Sequence, residues 1–162
     1  MHFQLAQAYA VSAASVAAVI DVWSRRIPNW ITFGTFVVGL ILNVWLSGLD
    51  GALMSITGAA LGMALLLPFY LVRAIGAGDL KLLGALGAVT GPQVLVSVAI
   101  YGAIAGGLLS VVILLIRGRL LVALNDLFVL HRPPATSGVT APYGVAIASG
   151  VYLSLILPSV LG

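Results

Sequence analysis

The chain contains no cysteine and no glutamate, and its 162 residues carry only four acids, all aspartate, against six arginines and one lysine. Without cysteine there are no disulfides, no thiolate zinc sites and no thiol nucleophile. Charged residues make up 7% of the sequence, where an average globular chain has roughly 25%. Hydrophobic residues make up 62%, which leaves too little polar surface to cover a water-soluble particle, so the bilayer is the expected solvent. The same abundance of apolar residues excludes a disordered chain. The net charge of +3 comes from scattered residues with no basic run, and nucleic acid is therefore not an expected partner.

What the sequence does have is long apolar stretches. Those at 5–22, 30–49 and 52–72 are each long enough to cross a hydrocarbon core of about 30 Å as a helix. The first has no Lys or Arg before it and Arg25 and Arg26 after it, the reverse of a cleavable signal peptide, and it reads as a retained span. Residues 82–116 hold no charge; as one helix they would measure about 52 Å, too long for a single crossing. The breaker cluster Thr90, Gly91, Pro92 and Gln93 divides them into a short span at 80–91 and a long one at 94–116. A sixth span is expected at 141–161. The stretch 119–131 between the last two is too short to cross and too apolar to float free, and is expected along the interface.

The fold class is therefore an all-α integral membrane protein, a six-helix transmembrane bundle forming one domain over residues 1–162. Arg25, Arg26, Arg73, Lys81, Arg117, Arg119 and Arg132 all fall in or beside the connections 1–2, 3–4 and 5–6, and none in the other two. The positive-inside rule puts those three connections in the cytoplasm and both termini outside. Trp23 and Trp30 stand where an interfacial aromatic belt is expected. Three GxxxG pairs, Gly58/Gly62, Gly87/Gly91 and Gly102/Gly106, look like helix-packing faces and do not bear on dimerisation. The oligomeric state stays open.

An ionisable residue near a span marks a functional site by default, because its burial is costly without a cavity or a partner. Asp50 falls in an outer turn and Asp126 in the 5–6 connection, where solvation accounts for both. Asp21 closes the first span, and Asp79 opens the fourth after the chain has gone out and back, so parity puts both at one membrane face. The fourth span is short enough, about 18 Å over twelve residues, to leave Asp79 below the surface. Gly76, Ala77 and Gly78 would then hold non-helical backbone at membrane depth, which requires protein or a wet cavity around it. Simpler roles exist for each acid. Asp21 and Arg25 stand at i, i+4 and make a helix-end ion pair possible, and Asp79 can cap the fourth helix.

Two carboxylates in one pocket do not both ionise comfortably, so one holds a proton and the other is an anion. Such a pair can activate a water against a peptide carbonyl and protonate its oxygen. No metal or cofactor is needed for that chemistry. His2 and His131 are expected on opposite faces and form no metal pair.

Asp21, Arg25, Ile27, Pro28 and Asn29 reproduce a D-x3-R-x-I-P-N stretch, and Gly76, Gly78, Asp79, Lys81 and Leu82 a G-x-G-D-x-K-L stretch. In these the chain resembles the type IV prepilin peptidases, membrane-embedded G-x-G-D aspartic peptidases. Pro142, Tyr143 and Gly144 are similar to a third family element at the start of the last span. The resemblance implies cleavage of the leader of a prepilin or pseudopilin at the cytoplasmic face of the bacterial inner membrane. Asp21 and Asp79 match the family's catalytic positions, while Arg25, Ile27, Pro28, Asn29, Gly76, Gly78, Lys81, Pro142, Tyr143 and Gly144 match positions that shape the site. Lys81 either steadies an anionic group or snorkels as an anchor.

Larger family members carry a cysteine-bearing cytoplasmic insertion associated with N-methylation. Here Trp30 follows Asn29 directly, which implies peptidase without methyltransferase, as in the short enzymes of tight-adherence pilus systems with small Flp-like pilins. Two other functions fit a small polytopic chain: a transporter or proton-coupled channel, and a non-catalytic scaffold of a pilus or secretion machine. Against the transporter, both acids lie toward one face and leave no relay across.

Overall fold

A computed structural model describes residues 2–128 and 143–160. Among them there is no strand. The elements are α1 (His2–Ser24), α2 (Asn29–Leu71), α3 (Ala77–Ile116), α4 (Leu120–Phe128) and α5 (Tyr143–Ile156). By length and composition α1, α2 and α3 can each cross a membrane, and α5 is a shorter apolar helix. The outer surface is apolar too, with Phe33, Ile104 and Leu108 among its exposed side chains. A hydrocarbon surround accounts for side chains that water would drive inward.

Neither α2 nor α3 is one straight rod. Gly48 has φ 59° and ψ −132°, and Gly91 has φ 77° and ψ 170°. Both combinations are closed to residues with a β-carbon. At each the chain doubles back. Asn43 reaches Ser55 at 3.0 Å, whereas twelve residues of straight helix would separate them by about 18 Å. The outer turn expected between the second and third spans thus falls at Gly48, and the one expected over 90–93 narrows to Gly91, with Pro92 opening the next arm where its missing N–H costs least.

That second break exposes backbone. Pro92 cannot donate to the carbonyl of Ala88, and the kink at Gly91 takes Val89 out of the helical ladder. Asn43 fills both vacancies, donating to Ala88 O at 2.8 Å and Val89 O at 3.2 Å. Ser55, fully buried, adds a bond to Ala88 O at 2.8 Å. One polar cluster therefore ties together the turn ends of both hairpins, where no water would otherwise satisfy those carbonyls.

Packing between helices relies on small residues. At Gly58 and Gly87 the second arm of α2 and the first arm of α3 approach so closely that neither position has room for a β-carbon. Gly150 of α5 lies likewise on the backbone of Val98 and Gly102. All three GxxxG pairs are used inside the chain, Gly102 and Gly106 against Ala146. α3 is the central element, touching α1, α2, α4 and α5, and Leu82, Leu86, Leu95 and Val98 form the core around it.

The helix ends decide where the site lies. α1 stops as Arg25 turns left-handed (φ 51°), its N–H bonded to Asp21 O at 2.8 Å. α2 stops in a Schellman motif with Arg73 left-handed (φ 60°) and Ala74 N–H on Phe69 O. Gly118 closes α3 in the same way. α3 begins three residues earlier than the sequence indicates. Of Gly76, Ala77 and Gly78 only Gly76 is non-helical (φ −80°, ψ 156°), because the Asp79 side chain caps the helix and lets its first turn form. The expected non-helical stretch is thereby corrected to one residue.

Candidate active site

Asp21 follows Ala10, Ala14 and Ala17 at steps of four, three and four, which places all of them on one face of α1. The three alanines are buried, and so is Asp21, at 7% exposure. Asp79 precedes Leu82, Leu83 and Leu86 in the same fashion on α3, and is 9% exposed. Each acid is thus the last polar step of an inward-facing stripe. Both sit at the same end of the bundle, Asp21 at the end of α1 and Asp79 at the start of α3, with Ile27 of the α1–α2 connection packed on Gly78.

Backbone amides hold them. Asp21 Oδ2 accepts the N–H of Gly144 at 2.9 Å, in the first turn of α5, where unpaired amides and the helix dipole favour an anion. Asp79 Oδ2 accepts the N–H of Gly76 at 3.1 Å. That is the returning half of a capping box, with glycine at the N-cap unable to supply the other half. The capping role foreseen for Asp79 is therefore present. It uses one carboxylate oxygen.

The connection between α1 and α2 closes the site from the side. Ile27 is buried and packs on Gly78, where a β-carbon would stand 3.1 Å from that of Ile27. Pro28, with φ −64° and ψ 141°, is the N-cap of α2. Asn29 follows at the first helical position and accepts a hydrogen bond from Lys81 Nζ at 3.0 Å. On α5, Gly144 rests against Asp21, with 3.0 Å between its absent β-carbon and that of the aspartate. Tyr143 precedes Gly144 as the first residue of α5.

Most residues singled out from sequence are thus brought together: Asp21, Ile27, Pro28, Asn29, Gly76, Gly78, Asp79, Lys81, Tyr143 and Gly144. Arg25 and Arg26 are exposed beside them. Lys81 turns away from the acids toward Asn29. Pro142 and His131 lie outside the described residues, as do the side chains of His2 and Asp126. Asp50 is exposed in the Gly48 turn region. The amide of Gly144 was not foreseen as a ligand to Asp21. A backbone donor leaves no mark in a sequence, and only the need for a small residue against a carboxylate hints at it.

A family model described as the type IV leader peptidase family matches residues 8–111. Over 107 residues the chain is 35% identical to a prepilin leader peptidase/N-methyltransferase of Legionella pneumophila, an alignment covering 62% of this chain and 37% of that relative. The chain therefore spans well under half the length of that relative. No solved structure matches.

Proposed function

Because the chain belongs to the type IV leader peptidase family, we propose that it is an aspartic endopeptidase that removes the leader of prepilin-like precursors, with Asp21 and Asp79 as its catalytic pair. The observation that carries this reading is the burial of the two carboxylates at one end of the bundle, each held through one oxygen by a backbone N–H. Among the described residues no hydrogen bond engages their Oδ1 atoms, which this reading turns to the substrate.

Buried in one site, two carboxylates favour a state with a single negative charge. The anionic member draws a proton from a water as its oxygen attacks the scissile carbonyl carbon, and the protonated member gives its proton to the carbonyl oxygen. Collapse of the tetrahedral diol expels the amine, which takes a proton from one carboxyl group while a diol hydroxyl returns its proton to the other, restoring the singly charged pair. The Gly76 and Gly144 amides fix the carboxylates through this cycle at no reorganisation cost, which is how preorganised dipoles contribute.

In this reading each arm of α2 and α3 crosses the bilayer, making six spans with α1 and α5. The arginine-rich ends, and with them the site, face the cytoplasm of the inner membrane. The first arm of α3, residues 77–90, measures about 21 Å, so Asp79 lies below the surface, within reach of a membrane-inserted precursor. α4 is the interfacial helix. Residues 25–28 alone join α1 to α2, which leaves no room there for a methyl-transferring insertion, and the product is expected unmethylated. The short form favours a small Flp-like pilin or pseudopilin as substrate. A relay across the membrane finds no support among the described residues, whose two buried acids share one end.

The test is a purified reaction with a candidate prepilin, followed by mass spectrometry. Leader loss without a gain of about 14 Da is expected. An intact precursor across a panel of Flp-like and longer prepilins would overturn the assignment.

A further inference from the structure

A groove of about 400 Å³ opens on the outer face of the bundle between the two arms of α2 and the first arm of α3. It is not the catalytic cleft. Lys81, which lines it, stands two residues after Asp79 and so about 200° round the helix. Asp79 continues inward to Leu82 and Leu83, whereas Lys81 continues to Gly84 and Ala85 on the groove floor. Groove and Asp79 therefore lie on different faces of α3.

The groove is polar at one end and apolar along the rest. Asn29 and Lys81 stand at the helix starts, level with the arginine-rich end of the bundle, joined by their 3.0 Å hydrogen bond. From Asn29 the wall descends through Phe33 to Phe36, about 10 Å deeper by the helical rise. Met63 closes the opposite wall, and a β-carbon on Gly84 would strike it, so the groove owes its depth to that glycine. A single extended chain can lie along the groove between Phe36 and Met63. Lys81 has an exposed ammonium with three N–H donors, only one of them on Asn29.

We propose that the groove binds one anionic phospholipid, its phosphate on the Lys81 ammonium and one acyl chain running between Phe36 and Met63. Charge at the mouth selects the headgroup, and the polar-to-apolar gradient along the membrane normal matches an amphiphile in its own leaflet. Because Lys81 also holds Asn29, and the adjoining Ile27 packs on Gly78, the lipid sits one contact from the turn that carries Asp79. The site does not depend on the peptidase reading.

The full chain is reconstituted into nanodiscs of equal phosphatidylglycerol and phosphatidylcholine, then weighed by native mass spectrometry. One retained phosphatidylglycerol, in excess over phosphatidylcholine, is expected for the unaltered protein. Lys81→Gln should lower that retention about fivefold, the contribution of one lysine beside an anionic headgroup. Met63→Trp, at a half-exposed position, should block the tail and remove the lipid with Lys81 intact, and it carries the test alone if Lys81→Gln does not insert. Equal retention of the two lipids by the unaltered protein, or undiminished phosphatidylglycerol in Met63→Trp, would overturn the proposal. So would displacement of the lipid by a peptide of a precursor's apolar segment.

Discussion

Asp21 and Gly144 are joined by a 2.9 Å hydrogen bond between residues 123 positions apart. It fastens the end of α1 to the start of α5, and it makes the position of one carboxylate depend on the last described helix.

Gly144→Ala keeps the N–H but places a methyl group 3.0 Å from Asp21 Cβ and Oδ2. The carboxylate must then shift by a few tenths of an ångström or more. A displacement approaching 1 Å at a reacting group costs about 10²-fold in rate. Leader cleavage should fall toward that level while helix content by circular dichroism stays unchanged. Full activity would mean that Asp21 does not work from this position.

Asp21→Asn and Asp79→Asn should each abolish cleavage, since an amide can neither take the water's proton nor return it, and each acid–base group contributes about 10² to 10⁴ in rate. Membrane levels should hold, because a neutral amide is no costlier to bury than a carboxylate. Asp50→Asn, at an exposed position, and Asp126→Asn should cleave normally. Activity within about tenfold of the unaltered enzyme in either site variant, at matched expression, would favour a scaffold.

Asn43→Leu removes the donor shared by Ala88 and Val89 and strands at least the Val89 carbonyl. A loss of roughly 1–3 kcal/mol is expected, read as a lower denaturation midpoint in mild detergent. Protein that remains folded should still cleave, because the cluster lies at the turn end of the hairpins, away from the acids.

Reporter fusions after Asp50 and Gln93 should report the outside, and fusions after Arg73 and Gly138 the cytoplasm, if each hairpin arm crosses the bilayer. A periplasmic signal after Arg73 would place the acids on the wrong side for a cytoplasmic cleavage and defeat the orientation.

The sequence by itself determined a great deal here, for a physical reason: in hydrocarbon every unsatisfied backbone group is costly, so apolar length fixes helices and the few breakers fix where they end. The turns at Gly48 and Gly91 were legible because only glycine adopts those angles. Asp21 and Asp79 stood out because a chain with four acids leaves few to explain. What stayed hidden was orientation about each helix axis. In segments apolar all round, the hydrophobic pattern has no face to read, and the inward direction is chosen by the fit of small residues such as Gly58 on Gly87. Tertiary structure alone decided that Asn43 would rescue the carbonyls freed by Pro92. It alone turned Lys81 to Asn29 and away from the acids, and set the Gly144 amide on Asp21. Each of these joins residues distant in sequence through a backbone atom or a helix face, and neither is encoded in any single residue's identity.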